Sequence, residues 1–93
     1  MSEQVFLTPE EILKNIKDCF EILDEYEKII NNINDNSTPK IMLSKMKEVM
    51  NDFHEYAKTV IASNDTATLN VLALDSANRK IELFEILEGL KYN

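Results

Sequence analysis

Ninety-three residues with 44% hydrophobic and 29% charged side chains suit one small folded domain whose core is marginal unless its elements are regular or a partner adds area. The net charge of -7 weighs against DNA, RNA or anionic membrane as direct ligands, because phosphate binding needs Lys and Arg to displace counterions. A lone cysteine cannot form an internal disulfide, there is no basic-then-apolar leader pattern, and no run approaches the ~20 apolar residues of a membrane span, so the expectation is a cytoplasmic protein.

Residues 1–7 show no helical period and are expected to form a short arm. Val5, Phe6 and Leu7 would fold over the end of the domain or touch a neighbour. The first strong signal follows. Thr8 can cap a helix, Pro9 suits its first position, Glu11 can reach back to the Thr8 N–H, and Leu7 and Ile12 can staple the entry. Ile12, Ile16, Cys19, Leu23, Tyr26, Ile30 and Ile33 then recur at alternating intervals of four and three, the spacing by which one helix lies lengthwise along another. A helix over about 9–34 is predicted. It carries Glu10, Glu11, Asp18, Glu21, Asp24, Glu25 and Glu27 against Lys14, Lys17 and Lys28.

Asn34 to Pro39 is a clear break, and Thr38-Pro39 repeats the Thr8-Pro9 start. The second helix is predicted over about 39–62. Its expected seam is Met42, Met46, Val49, Phe53, Tyr56 and Val60, widened by Leu43, Met50 and Ala57. Lys40, Lys45, Lys47 and Lys58 outnumber Glu48, Asp52 and Glu55, which complements the acidic first helix. Ser63-Asn64-Asp65-Thr66 forms a short, cap-rich link, as expected between antiparallel neighbours. Both Asn-x-Ser/Thr patterns, at Asn36 and Asn64, fall in these breaks and read as turn and cap chemistry.

The third helix is predicted over about 66–88, with Gly89 as a left-handed C-cap closed by Leu90. Ala73, Ala77, Ile81, Phe84 and Leu87 are expected to face inward. Apolar residues cover more than half of this helix, a surplus to be buried either by the N-terminal arm or in a subunit interface through Leu72, Leu83, Ile86 and Leu90, with Val5 and Phe6 on the arm. The fold class is therefore all-α: a single elongated antiparallel three-helix bundle over 1–93 that dimerisation can complete.

No catalytic constellation emerges, so the chain is expected not to be an enzyme. One Cys and one His are too few soft ligands for zinc, no Asp-x-Asp-x-Asp-Gly loop exists for calcium, and one glycine cannot make a phosphate loop, so no metal or cofactor is expected. Cys19 falls among Ile16, Phe20 and Leu23, where a thiol behaves as a small core residue with a raised pKa. Met42, Met46 and Met50 form a ladder that suits gap-filling in the core, or a soft groove if exposed.

His54 lies off the second helix's expected seam, so a largely exposed imidazole is expected. A surface histidine on a bundle invites comparison with histidine phosphotransfer domains, which carry His-x-x-Lys-Gly. This chain reads His54-Glu55-Tyr56-Ala57-Lys58, with the lysine displaced by one residue, no glycine, and an added negative charge at Glu55. Asp18, Glu21, Asp24 and Glu25 offer an acidic face that is either simply solvated or imitates the charge row of a nucleic acid. Two functions follow. The first is a small acidic adaptor, assembly factor or chaperone-like subunit with a protein partner, in a homo-oligomer or a hetero-complex. The second is an acidic inhibitor, as phages and mobile elements encode, that blocks a basic nucleic-acid-binding site of an enzyme.

Overall fold

The computed structural model describes residues 8–32 and 37–91, and only the backbone of 37–39. Three helices, α1 (Pro9–Ile30), α2 (Ser37–Ser63) and α3 (Thr66–Lys91), form an elongated bundle measuring 52 × 26 × 16 Å, and no strand occurs among the described residues.

α1 begins as its sequence requires. The Glu11 N–H donates to Thr8 Oγ1 at 3.1 Å and the Thr8 N–H donates to Glu11 Oε1 at 2.8 Å, a complete capping box ahead of Pro9. Ile12, Ile16, Cys19, Leu23, Tyr26 and Ile30 are all buried. α1 packs along both other helices, whereas α2 and α3 meet over a much shorter stretch. It is thus the strut against which the others are laid. Phe20 opposes His54 and Glu27 pairs with Lys47, so α1 and α2 run antiparallel. Asn15 meets Ser76, Asp18 meets Lys80 and Glu25 meets Lys91, so α1 and α3 run parallel.

α1 stops at Ile30, short of the expected Asn34. The Asn32 side-chain amide donates to the Lys28 carbonyl at 3.2 Å, a local bond that competes with continued helix, and Asn31 closes the end by donating its N–H to the Glu27 carbonyl. Ile33, Val5, Phe6 and Leu7 lie outside the described residues. α2 starts at Ser37, so Thr38 and Pro39 fall within its first turn, where proline is tolerated. Asn64 takes a left-handed backbone (φ 59°), which asparagine adopts readily. Asp65 then accepts from the Thr68 hydroxyl at 2.8 Å and opens α3.

Two inward faces differ from expectation. On α2 the buried stripe is Leu43, Met50, Phe53, Ala57 and Val60, with Met46 half-buried, while Met42, Val49 and Tyr56 are exposed. α2 is rolled toward α1, its main neighbour, leaving the α3-facing edge of its apolar band open. On α3 the buried residues are Leu72, Ala73, Ser76 and Leu87, not the expected Ala73, Ala77, Ile81, Phe84 and Leu87. At 100° per residue the inward face is rolled by about 70°. The helix also runs through Gly89, which has no positive φ, so the expected left-handed cap is absent and α3 continues to Lys91.

Candidate functional site

The rolling of α3 creates the surface of interest. Ser76 is fully enclosed although polar, and it is satisfied on both sides. Its hydroxyl accepts from Asn15 Nδ2 at 3.3 Å and donates to the Ala73 carbonyl at 2.9 Å. Lys80, one turn on, reaches Asp18 at 2.8 Å, and Lys91 reaches Glu25 at 3.2 Å. These polar contacts settle which side of an almost uniformly apolar helix faces α1. Leu72 goes into the core at 1% exposure, and Leu83 and Leu90 pack half-buried against it.

What turns outward is a stripe. Leu74 is 63% exposed, Ala77 half-buried, Ile81 55% exposed and Phe84 51% exposed, spaced three, four and three residues apart. Ala77, Ile81 and Phe84 line an open groove of about 580 Å³ between α3 and α1, with Asn15 and Ile22 on the opposite wall and Lys80 and Glu85 at its edges. Val71 is also exposed, at 60%, and lies beside the stripe's first residue, about 60° round the helix from Leu74 and about 100° from the middle of the stripe.

A second groove of about 240 Å³ separates α2 from α3, lined by Met46, Val49 and Met50 opposite Leu83 and Ile86. Arg79 lines the same groove, its guanidinium carbon 4.3 Å from the centroid of the Phe53 ring, a cation–π contact that joins α3 to α2. The methionine ladder is therefore graded: Met50 is buried, Met46 half-buried and Met42 exposed.

Of the six apolar residues singled out in the sequence, Ile86 alone among those described is exposed, while Leu83 and Leu90 are half-buried. Leu72 is a core residue, corrected because Ser76 rather than a larger apolar residue faces α1. Val5 and Phe6 fall outside the described residues. Ile81 and Phe84, expected inside, are the surface residues that sequence reasoning missed. The available signal was Ser76, whose small polar side chain shares a face with Leu72, Ala73 and Leu87.

The four acidic residues do not act alike. Lys80 and Lys14, at 2.8 and 3.3 Å, hold the Asp18 carboxyl below its usual range, the Lys80 hydrogen bond contributing most, against the opposing effect of partial burial. Glu25 pairs with Lys91, and only Glu21 and Asp24 are left on a shallow exposed patch with Glu25 and Lys28. His54 is half-buried rather than largely exposed. It meets Phe20 edge-on at 6.1 Å between centroids, a packing role on the α1–α2 side. Cys19 is enclosed, and burial pushes its thiol up to about 11.

Among the described residues, no group of three or more His, Cys, Asp or Glu side chains is placed to hold a metal ion, and no helix is long and apolar enough to cross a membrane. No protein-family model, curated protein or solved structure matches the chain.

Proposed function

We propose that this chain is a non-enzymatic protein–protein interaction module that works through the outer face of α3. One observation carries this reading. The stripe Leu74, Ala77, Ile81 and Phe84 has the spacing of a helix-packing seam, yet among the described residues no helix covers it. Isolated exposed apolar side chains are ordinary on a small protein. A continuous seam on the rigid helix opposite a well-packed strut favours a partner that also presents a helix or another apolar ridge. Pairing of Asp18 and Glu25 with lysines of α3 favours this apolar surface over an acidic, nucleic-acid-like one.

Partner capture from the source cell at low and high salt tests the reading. Retention through an apolar seam survives high salt and is lost in Ile81→Glu. Binding that collapses with salt and with Asp18→Asn, Glu21→Gln, Asp24→Asn and Glu25→Gln, but survives Ile81→Glu, supports the acidic inhibitor instead.

A further inference from the structure

We propose that the groove between α2 and α3 receives an amphipathic helix of a basic partner protein. A lysine or arginine of that helix sits between Asp52 and Asp75, and a large apolar side chain about two turns away sits between Val49 and Leu83. This groove lies on the other flank of α3 from Ala77 and Ile81, so the inference stands apart from the reading above.

The groove exists because α2 has more apolar surface than α1 takes up. Leu43, Met50 and Ala57 are drawn into the core, while Met42, Val49 and Tyr56 remain 42%, 49% and 53% exposed. α3 reaches α2 over a short stretch only and leaves these residues uncovered. Their spacing alone names no occupant. What sets them apart from a plain outer face is an opposing wall, since Leu83 and Ile86 of α3 stand across the same groove from Met46 and Val49. A groove with two apolar walls takes the ridge of a helix, and the methionines let the fit adjust.

The charges select the kind of helix. A cavity of about 320 Å³ continues the groove past Val49 and Arg79, which line both parts, to Tyr56. Asp52 borders this part from α2 and Asp75 from α3. Asp75 and Arg79 stand four residues apart on α3, an arrangement in which aspartate and arginine ordinarily pair. Here the guanidinium lies over the Phe53 ring instead, and among the described residues neither carboxylate has an ion pair. On α1, by contrast, Asp18, Glu25 and Glu27 each hold a lysine. Two unpaired carboxylates on opposite walls of one cavity attract a cation and repel a further carboxylate.

The rest of the groove is balanced in charge, with Lys45 against Glu82, and its apolar lining suits an uncharged anchor. Asp52 and Tyr56 are centred six to seven residues from Met46 and Val49 along α2, or about 10 Å, which equals two turns of an incoming helix. The net charge of -7 adds a long-range attraction for a basic partner.

Selection of helical peptides on the full chain tests the proposal. The probe is a displayed library of alanine-based helices of about 18 residues with one face randomised. Selected peptides are then made with a terminal tryptophan, which this chain lacks, so that their fluorescence reads binding without background. They should carry Lys or Arg about seven residues from Leu, Ile, Met or Phe. Val49→Glu, a surface change that leaves helical circular dichroism intact, should weaken binding about tenfold or more, and Tyr56→Ala should act in the same direction. Asp52→Asn combined with Asp75→Asn should weaken it severalfold and flatten its salt dependence, whereas Ile81→Glu should leave it unchanged. Failure to enrich any helix, enrichment without the cation, or binding indifferent to both Val49→Glu and the paired Asn substitutions overturns the proposal. Loss through Ile81→Glu alone moves the contact to the outer stripe, supporting the reading above and overturning this one. A chain that sediments as two copies and returns to one in Val49→Glu fills the groove with itself, which also overturns a separate basic partner.

Discussion

The Asn15 amide donates to the Ser76 hydroxyl at 3.3 Å across the α1–α3 contact, and this bond marks the face that α3 turns inward. Ser76 is fully enclosed, so its loss is felt in two ways. Ser76→Ala removes one interhelical bond and should cost about 1 kcal/mol, because the half-buried Asn15 can turn to water. Ser76→Leu should cost about 1–3 kcal/mol by overpacking a fully enclosed position between the two helices. Urea unfolding of both variants checks the order.

The Asp18–Lys80 pair implies an acid-side loss of stability. Lys80 holds the Asp18 carboxyl below the free value of 3.8, so the folded state binds this proton less readily than the unfolded chain. The contribution is fully present above 3.8 and disappears as pH falls through the lower folded value. Unfolding midpoints should therefore drop below that point, and Asp18→Asn should flatten part of the drop while lowering stability near neutrality.

Gly89 lies within α3, has no positive φ, and presents open space where a Cβ would stand. Gly89→Ala should stabilise the fold by about 0.5–1 kcal/mol, through helix propensity and a less flexible unfolded chain. A thermal melt showing no gain would place Gly89 outside the cooperative part of the helix.

Cys19 should resist thiol reagents. It is enclosed in the core and its thiol is raised to about 11, so on the order of one molecule in ten thousand would be thiolate at neutral pH even if reached. Labelling should proceed only through opening of the bundle, and should therefore slow in Gly89→Ala. A rate equal to that of a free thiol would contradict the packed position.

The parts of this fold legible in sequence are those with a single physical solution. α1 has one apolar stripe and a four-signal start, and its capping box and six buried seam residues sit where the pattern puts them. α2 carries two overlapping stripes that share Met46, Phe53 and Val60, and only the placement of neighbouring helices chooses between them. α3 is apolar on most sides, so spacing selects no direction. The choice falls to Ser76, Lys80 and Lys91, polar groups that find partners on α1 only when Ile81 and Phe84 turn outward. Gly89 was misleading for a related reason, since a C-cap glycine and a glycine within the last turns of a helix look alike until φ is known.

The most direct test of function through the α3 stripe compares Phe84→Glu with Val71→Glu. The two positions are similarly exposed, at 51% and 60%, but only Phe84 belongs to the seam. Each substitution should change monomer stability by no more than about 0.5 kcal/mol, as expected at a surface position. Measured association with a captured partner should be abolished by Phe84→Glu and retained by Val71→Glu. Equal association by both variants, or equal loss in both, would contradict a binding surface at Leu74, Ala77, Ile81 and Phe84.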